Sequence, residues 1–364
     1  MTDILLRRIG RAGRATLNRP EALNALSHGM CKVLDAALIG WAADSAVDLV
    51  VIDAAGPKAF CAGGDIAELY AQGTAGNFAF GRNFWRDEYR MNDRIDRYAK
   101  PVVVLIQGFC MGGGVGVACH ASHRIVGESA QIAMPECAIG LVPDVGGSAL
   151  LARAPGRLGA YLGMTGTRMG PGDAIHAGFA DLFVPEADWP ALIATLCDTG
   201  NVAAISRASR PLPAPATLPA LQERIDRHFE AVALETVLAS LASDHSDFAR
   251  GALKSLARAA PLAAAVTLAM QQRLGPTPTL RDALELEYRV TFRAQADTDF
   301  LEGIRAMIID KDRKPRWRHS AVVPATEIAA LLAPLGPDTL TFPDPLTCPD
   351  TPPDTPPDTL TDTE

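Results

Sequence analysis

The feature that most limits the possible folds of this chain is a glycine cluster at residues 108–116. The apolar stretch at residues 102–107, VVVLIQ, reads as a strand, and the nine residues after it, 108–116, contain five glycines. The cluster lacks the GxGxxG spacing of a dinucleotide-binding turn and the Gly-Lys-Ser/Thr ending of a phosphate-binding loop. It therefore predicts a close-packed turn from a strand into a helix, where free backbone N–H groups can stabilise an oxyanion.

Strand-like and helical segments alternate through the first 206 residues. Residues 14–17 and 49–54 also read as strands, and residues 22–43 read as a helix. This alternation predicts an α/β fold whose strands are joined by crossover connections. We assign residues 1–206 to this core, which carries the candidate site.

The C-terminal part of the chain has a different character. Residues 207–219 contain four prolines and predict a linker. Helices rich in Ala, Leu, Arg and Glu are predicted next, at residues 220–241, 249–259, 262–274 and 279–295. We assign residues 207–336 to a C-terminal helical region. Residues 337–364, with repeated Pro-Asp-Thr units, are predicted to be a disordered acidic tail, because so few apolar residues cannot form a core.

Composition argues against several classes of protein. The net charge is −8, but the tail holds six Asp, one Glu and no basic residue, so the rest of the chain is nearly neutral and does not read as a nucleic-acid binder. The sequence lacks an apolar run long enough for a membrane helix and the apolar core of a secretory signal, so we expect a cytoplasmic protein without a membrane partner. Seven scattered cysteines without a CxxC pair, and unclustered histidines, argue against disulfides and against a metal site.

A second glycine-containing loop, KAFCAGGDI at residues 58–66, follows the strand-like segment 49–54. Its adjacent glycines, Gly63 and Gly64, allow a sharp turn that aims a backbone N–H inward, and Asp65 can cap the next helix. Taken alone, the pattern is more typical of an ordinary loop between a strand and a helix.

Two carboxylates lie in a third segment, at residues 133–147. Glu136 and Asp144 belong to a stretch that is otherwise apolar and rich in Pro and Gly. Apolar surroundings raise the pKa of a carboxyl group and favour a role as acid or base. The alternative is that each carboxylate caps a helix or pairs with a surface cation.

Together these three segments resemble the crotonase (enoyl-CoA hydratase/isomerase) superfamily. The resemblance begins at NRPEALNAL, residues 18–26, and extends to LGMTGTRM at residues 162–169 and AGFADLFV at residues 177–184. It implies an α/β crotonase superhelix of ββα units, here with an additional C-terminal helical region. Crotonases commonly form trimers, so a homo-oligomer is possible.

The resemblance also assigns roles to the two glycine loops. The backbone N–H groups of Gly64 and Gly113 are expected to form an oxyanion hole for a thioester carbonyl. Ala62, Asp65 and Ile66 are expected on the adenine side of a coenzyme A site. Coenzyme A would then be part of the substrate, and neither a metal nor a further cofactor is expected.

The positions of the carboxylates indicate one branch of the superfamily. Hydratases use two glutamates, of which Glu136 matches the first. The second lies three residues after the oxyanion glycine, where this chain has Gly116, and Asp144 stands where hydratases usually carry a small residue. Four segments instead resemble 3-hydroxyisobutyryl-CoA hydrolases, at residues 84–92, 111–116, 135–147 and 299–317.

By this match Glu88 contacts the substrate together with Gly113, Glu136 and Asp144. The alternative for Glu88 is a solvated helix charge beside Arg86 and Arg90. The chain departs from the branch in having Val142 where Phe is frequent and Cys137 where Thr is common, which leaves the acyl chain open.

The branch implies hydrolysis of 3-hydroxyisobutyryl-CoA or a close 3-hydroxyacyl-CoA, in valine catabolism. Glu136 would act as nucleophile or as base, and the sequence leaves both open. Asp144 would orient the substrate hydroxyl or assist proton transfer. Two alternatives remain: an enoyl-CoA hydratase or isomerase, and a non-catalytic protein that binds coenzyme A.

Overall fold

The computed structural model describes residues 2–343. Within them the chain forms nine strands: β1 (Ile4–Ile9), β2 (Ala12–Leu17), β3 (Leu49–Ala54), β4 (Ala59–Cys61), β5 (Val102–Ile106), β6 (Phe109–Met111), β7 (His123–Val126), β8 (Gln131–Ala133) and β9 (Leu182–Phe183). The three strands predicted from the sequence are confirmed as β2, β3 and β5. The short strands β4, β6 and β8 carry too few residues for a periodic signal and were not predicted.

The strands form two sheets. The large sheet has the order β1-β2-β3-β5-β7-β9, and its neighbours are parallel except for β1 with β2. The small sheet has the order β4-β6-β8 and is parallel throughout. Each strand of the small sheet closely follows a strand of the large one, so the chain repeats a strand–strand unit along both sheets. This arrangement is the predicted superhelix of an α/β crotonase fold.

Sixteen α-helices occupy the rest of the described chain: α1 (His28–Ala43), α2 (Ile66–Thr74), α3 (Phe78–Asp96), α4 (Gly113–Ala118), α5 (Gly147–Arg153), α6 (Leu158–Thr165), α7 (Pro171–His176), α8 (Trp189–Thr199), α9 (Ala203–Ala208), α10 (Gln222–Phe229), α11 (Leu234–Ala242), α12 (Asp247–Leu256), α13 (Pro261–Leu274), α14 (Leu280–Asp297), α15 (Phe300–Ile304) and α16 (Ala325–Leu331). Shorter turns are 3-10 helices at Pro20–Ala22, Glu136–Ile139, Glu186–Asp188, Leu218–Leu221 and Gly336–Asp338, and a π-helix at Arg305–Ile309. Among the described helices none is by itself long and apolar enough to cross a membrane. Only α12 and α13 taken together meet the length and composition criteria, and they are bent by 111°.

Both faces of the large sheet are covered by helices, which explains why its central strands are continuous apolar runs. Val51 and Val103 face α8 and α9 in one apolar cluster. Val50 and Val104 point to the opposite face and join the main core with residues of α1 and α3. Fully burying an aliphatic side chain contributes about 1.5–3 kcal/mol, so this double cover makes the sheet a rigid base for the loops.

The small sheet determines where the site lies. Gly64, Gly113 and Glu136 come two or three residues after the ends of β4, β6 and β8. Because parallel strands end at the same edge of a sheet, their loops are brought together there. Segments more than seventy residues apart in the sequence thus converge on one place.

Two predicted helices differ from the structure. The predicted helix at residues 22–43 begins only at His28, because Ser27 caps it by accepting a hydrogen bond from Met30 N. The predicted helix at residues 220–241 is two helices, α10 and α11. At about 100° per residue, a continuous helix would turn Leu234 about 140° away from Phe229. Both side chains are buried, so the chain breaks between them.

The C-terminal helices pack against the α/β core as well as against one another. The helix α14 packs on α3, and α13 packs on α5 and α6. Leu284, Tyr288 and Phe300 belong to the main apolar cluster that includes the sheet residues. The division at residues 206 and 207 stays a prediction.

The sequence predicts that the disordered tail begins at Pro337, and the structure corrects this prediction. Leu340 is only 4% exposed, and the Arg90 guanidinium donates to Thr341 O at 2.9 Å. The Arg281 guanidinium lies over the Phe342 ring at 4.8 Å. Residues 337–343 therefore dock on α3 and α14, because this piece of the tail contains two large apolar side chains. The remainder of the predicted tail, residues 344–364, lies outside the described residues.

Candidate active site

Gly64 turns its backbone amide away from the neighbouring chain segment. It forms a parallel bridge with Leu26, in which Leu26 N donates to Gly63 O and Asp65 N donates to Leu26 O, both at 2.9 Å. The central residue of such a bridge does not use its own N–H on that side. The Gly64 N–H therefore points to the opposite side, toward the cavity that Gly64 lines.

Gly113 is the first residue of α4 and lies against Gly64. The backbone at Gly112 has φ 48° and ψ −121°, a conformation that only glycine adopts readily, and this sharp turn starts the helix. As a first-turn residue, Gly113 has no acceptor for its N–H within the helix. A Cβ atom placed on Gly113 would lie 3.3 Å from Gly64 N, so the two glycines are in contact. Two backbone amides thus adjoin in one cavity, as the predicted oxyanion hole requires.

Glu136 begins the 3-10 helix after β8 and is 6% exposed. A Cβ atom on Gly112 would meet Glu136 Oε1 at 2.9 Å, which places the carboxyl group beside the glycine turn. Its other oxygen, Oε2, is buried and has no hydrogen-bond partner among residues 2–343. Burial, and secondarily the charge of Asp144, raises the pKa of Glu136 well above its ordinary value. The group is neither a helix cap nor part of a surface ion pair.

Asp144 lies in the loop before α5 and is 5% exposed. Its Oδ2 accepts a hydrogen bond from the Tyr89 hydroxyl at 2.8 Å. Burial raises the pKa of Asp144 to about 7, although the Tyr89 hydrogen bond acts in the opposite direction. This carboxyl group therefore changes its charge near neutral pH, where an acid or base is most effective.

Glu88 is the third carboxyl group of the site. It projects from α3 and is 3% exposed, so the alternative of a solvated helix charge is wrong. A Cβ atom on Gly113 would lie 2.7 Å from Glu88 Oε1, and this oxygen is buried without a hydrogen-bond partner in the described chain. Burial, followed by the charge of Asp144, raises the pKa of Glu88 well above its usual range.

A single cavity of about 280 Å³ joins these groups. Its lining includes seven of the residues singled out in the sequence, namely Ala62, Gly64, Ile66, Glu88, Gly113, Glu136 and Asp144. Asp65 is the exception, because its carboxylate accepts hydrogen bonds from the Arg19 guanidinium at 3.2 Å and does not cap α2. Across residues 2–343, no group of three or more His, Cys, Asp or Glu side chains is placed to hold a metal ion.

Comparison with known proteins decides the family. The family model described as enoyl-CoA hydratase/isomerase matches residues 12–332. The chain belongs to this family. A solved structure of an enoyl-CoA hydratase from Rhodobacter sphaeroides 2.4.1 is 62% identical, with a TM-score of 0.90, covering 94% of this chain and 100% of that one. A carnitinyl-CoA dehydratase from Mycobacterium thermoresistibile is 38% identical, with a TM-score of 0.89, covering 94% and 99%.

Curated relatives place the chain within the enoyl-CoA hydratase/isomerase family more closely. The 3-hydroxyisobutyryl-CoA hydrolase, mitochondrial, of Danio rerio is 38% identical over 337 residues, which is 90% of this chain and 87% of that protein. The matches confirm the predicted family, its hydrolase branch and the crotonase fold. They also support the prediction that the chain is an enzyme of the thioester hydrolase class.

Gly116 occupies the position expected to carry the second glutamate of the hydratases, and the packing there leaves no room for a larger side chain. A Cβ atom there would lie 2.8 Å from both Asn92 Nδ2 and Val145 Cβ. The Asn92 side chain thus fills the space beside the glycine helix. One helical turn before it, Glu88 supplies the cavity with a second glutamate from a different helix.

Sequence reasoning missed two residues that hold this family member's site together. The contact of Tyr89 with Asp144 has no signal along the chain. Glu287 has no local feature that separates it from other charged residues of its helix, yet it is 0% exposed. Its carboxylate accepts hydrogen bonds from Gly146 N at 2.7 Å and Ser148 N at 3.0 Å, shortly after Asp144 in the chain. Glu287 of the C-terminal helical region therefore holds the loop that contains Asp144 in place.

Proposed function

We propose that this chain hydrolyses the thioester of a 3-hydroxyacyl-CoA, with 3-hydroxyisobutyryl-CoA as the leading candidate, to the free acid and coenzyme A. The observation that carries the proposal is the convergence of Glu136 and Asp144 with two adjacent glycine amides in one small cavity. The curated relatives that bear the name 3-hydroxyisobutyryl-CoA hydrolase support the same activity.

In this proposal the thioester carbonyl oxygen lies between the N–H groups of Gly64 and Gly113. Negative charge develops on that oxygen when the carbonyl carbon is attacked, and each donor stabilises it by on the order of 3 kcal/mol. The arrangement helps the transition state more than the ground state because the charge appears only during the reaction.

Glu136 is the group that starts the reaction. Its ionised carboxylate either attacks the carbonyl carbon, which expels the coenzyme A thiolate and leaves a mixed anhydride, or removes a proton from an attacking water molecule. In the first route, water then cleaves the anhydride and restores the carboxylate. Both routes use an oxygen that is not already engaged, and the buried, unpartnered Oε2 meets this requirement within the described residues.

Asp144 is assigned to the substrate hydroxyl. The Tyr89 hydrogen bond engages Oδ2 and fixes the orientation of the carboxyl group, which lines the cavity. A buried carboxyl group that binds a hydroxyl discriminates strongly against a substrate without one, because its own oxygen would then stay unpaired. Glu88, with its unpartnered Oε1, is assigned to substrate contact beside Gly113.

The test is thiol release from a panel of acyl-CoA esters with and without a 3-hydroxyl group. We expect rapid release from 3-hydroxyisobutyryl-CoA and slow release from isobutyryl-CoA, the matched ester without the hydroxyl. Absence of thiol release from every ester of the panel would contradict the proposal.

A second candidate function is hydration of an enoyl-CoA. It is favoured by the two glutamates in the cavity, Glu88 and Glu136, and by the 62% identical structure of an enoyl-CoA hydratase. Against it stands the packed position of Gly116, which keeps the second glutamate on another helix. Loss of crotonyl-CoA absorbance without thiol release would favour hydration over hydrolysis.

We propose further, from the resemblance to the hydrolase branch, that the reaction serves valine catabolism. A cytoplasmic location and a homo-oligomeric state are parts of the same proposal. Growth on valine after deletion of the gene, cell fractionation and solution mass measurement test these three points separately.

A further inference from the structure

A second cavity, of about 570 Å³, lies between the large sheet and α8. Residues of β2 and β3, the residue that follows β5 and one face of α8 line it, and we call it the α8 cavity. It shares no lining residue with the catalytic cavity. The α8 cavity is therefore a separate place at which a ligand can bind.

Polar side chains interrupt an otherwise apolar face of the sheet at this cavity. Val51 and Leu105 belong to the apolar cluster that α8 and α9 cover. Asp53 and Gln107 follow them by two residues, and side chains two residues apart along a strand point to the same face. Arg14 of the neighbouring strand joins them in the lining. A charged and an amide side chain thus stand at the carboxyl ends of β3 and β5, a frequent place for ligands in α/β proteins.

Asp53 and Gln107 are more than nine-tenths buried, yet each is only partly paired. Asp53 is 7% exposed and Gln107 is 6% exposed. Asp53 Oδ2 accepts two hydrogen bonds from the Arg14 guanidinium, at 2.5 and 3.0 Å. Gln107 Nε2 donates to Ala54 O and Gly56 O, both at 3.0 Å. Among residues 2–343, Asp53 Oδ1 and Gln107 Oε1 have no hydrogen-bond partner.

The two unpartnered atoms, Asp53 Oδ1 and Gln107 Oε1, are of one chemical kind. A carboxylate oxygen and an amide oxygen both accept hydrogen bonds and cannot donate them. Burial of an acceptor without a donor is unfavourable, and a donor that reaches it removes the cost. The group complementary to this pair therefore carries N–H or O–H donors.

The charge of the lining favours a cationic donor. Three carboxylates, those of Asp53, Glu186 and Asp198, line the α8 cavity against the single guanidinium of Arg14. An excess of one charge in a cleft raises the local concentration of ions of the opposite sign. Trp189 adds an aromatic ring, and aromatic rings attract cations.

The rest of the lining is apolar. Ile9, Pro190 and Ile193 contribute aliphatic surface beside the polar groups. The Trp189 ring is held in place, because its Nε1 donates to Val184 O at 3.0 Å. A ligand that fits this lining has an aliphatic part as well as a charged one.

We propose that the α8 cavity binds a small organic ammonium ion, that is, a protonated primary amine with a short aliphatic body. Its N–H groups donate to Asp53 Oδ1 and Gln107 Oε1, and its aliphatic part packs on Ile193 and Trp189. The inference concerns a second site and goes beyond the proposed hydrolysis of an acyl-CoA.

The first experiment titrates the full chain with four probes and follows binding by ligand-observed NMR. Isobutylammonium has the charge, the donors and the aliphatic body, isobutanol lacks the charge, isobutyrate has the opposite charge, and tetramethylammonium is a cation without N–H groups. We expect isobutylammonium to bind at least ~10-fold more tightly than each of the other three, because only it satisfies both oxygens and the charge. Equal binding of isobutylammonium and isobutanol would overturn the proposal.

A blocking variant shows where the amine binds. Ala194 is exposed on α8 and lines the cavity, so Ala194→Phe should fold and fill it with a phenyl ring. We expect isobutylammonium to bind at least ~10-fold more weakly to this variant, because the space is occupied. Ala191→Phe is the matched control, since Ala191 is exposed on the same helix but outside the lining, and should change binding by less than about two-fold. Unchanged binding in Ala194→Phe would mean that the amine binds elsewhere and would overturn the proposal.

A second variant tests the carboxylate. Asp53→Asn keeps the shape of the side chain and removes its charge, so we expect isobutylammonium to bind at least ~10-fold more weakly and isobutanol to bind within about two-fold of its original affinity. Asp48→Asn is the control, because Asp48 is also paired with an arginine, at 2.6 Å from Arg11 Nη2, and lies outside the lining. A folded Asp53→Asn protein that binds isobutylammonium with unchanged affinity would contradict the inference. If Asp53→Asn does not fold, Ala194→Phe decides. None of these measurements uses an acyl-CoA, so their outcome is independent of the proposed hydrolase activity.

Discussion

The Tyr89 hydroxyl donates a 2.8 Å hydrogen bond to Oδ2 of Asp144. The same hydroxyl lies 3.4 Å from the Thr291 hydroxyl, one helical turn after Glu287 on α14. Asp144 is thus bound directly by Tyr89 of α3, and α14 supports the arrangement through Thr291, beside the Tyr89 hydroxyl, and through Glu287, which binds Gly146 N. The C-terminal helical region therefore contributes to the orientation of Asp144 in the candidate active site.

Replacing Tyr89 with Phe should change the ionisation of Asp144. The hydrogen bond lowers the pKa of Asp144, so its loss should raise that pKa further above about 7. A hydrogen bond to a charged group contributes about 1.5–3 kcal/mol, so we expect kcat/KM for the 3-hydroxy ester to fall by at least ~10-fold at neutral pH. Tyr288→Phe is the control, because its hydroxyl donates to Arg82 O at 3.1 Å. An unchanged pH profile in Tyr89→Phe would show that the bond does not tune Asp144.

Glu136→Gln keeps the shape of the side chain and removes its charge and its nucleophilic oxygen. We expect turnover to fall by at least ~100-fold while coenzyme A binding persists, because a positioned acid or base contributes at least that much. Single-turnover thiol release measures the loss. Near-normal turnover would exclude Glu136 as the essential carboxylate.

The same variant should be more stable than the unmodified protein at high pH. Because burial raises the pKa of Glu136, the stability that its neutral form contributes is present below the ordinary carboxyl pKa and is lost as the pH rises toward the raised value. Glutamine does not ionise. The gain in melting temperature should therefore be larger at about pH 8 than at about pH 5, and an equal gain at both would contradict this account.

Asp144→Ala should affect two substrates unequally. If Asp144 binds the substrate hydroxyl, kcat/KM should fall far more for 3-hydroxyisobutyryl-CoA than for isobutyryl-CoA. The measurement is kcat/KM for both esters with both proteins. The loss for the hydroxylated ester divided by the loss for isobutyryl-CoA gives the contribution of the hydroxyl group. Equal losses on the two esters would assign Asp144 to the chemistry or to the structure of the loop.

The pH dependence of kcat/KM should report the buried carboxyl groups. Glu136 acts in its ionised form, so activity should rise with pH, with an acid limb well above the ordinary glutamate pKa of 4.5. In Asp144→Asn the neighbouring charge that raises the pKa of Glu136 is gone, so the limb should move to lower pH. If the acid limb of the pH profile of the unmodified protein lies near or below pH 4.5, Glu136 does not titrate in this way.

Two truncations test how much the docked segment, residues 337–343, and the C-terminal stretch, residues 344–364, each contribute to the melting temperature. Removing residues 344–364, which are polar and rich in proline, should leave the melting temperature unchanged. Removing residues 339–364 also deletes Leu340 and Phe342, which pack on the core, and should lower it by several degrees. Equal melting temperatures for the two truncations would mean that the contacts of residues 339–343 contribute nothing to stability.

Local chemistry along the chain predicted the α/β class of the fold, the two glycine turns and the two carboxylates Glu136 and Asp144. The resemblance to crotonases added the other candidate site residues and the role of each. The apolar runs became β2, β3 and β5 because strands buried on both faces consist of uninterrupted apolar residues. Seven predicted residues line one cavity, and two of them, Gly64 and Gly113, lie in the turns that follow β4 and β6. The roles of those residues stay predictions.

The tertiary structure decided the features that depend on contacts between distant segments. Glu287 has no local feature that separates it from a surface glutamate, and only the packing of α14 brings it to the amides after Asp144. The break between α10 and α11 has the same origin, since burial of Phe229 and Leu234 overrides the helical propensity of the residues between them. The sequence by itself thus determined which segments carry the chemistry, because glycine turns and strand patterns act over a few residues. The tertiary structure decided which carboxyl groups are buried and what orients them, because burial and hydrogen bonding are set by residues far away in the chain.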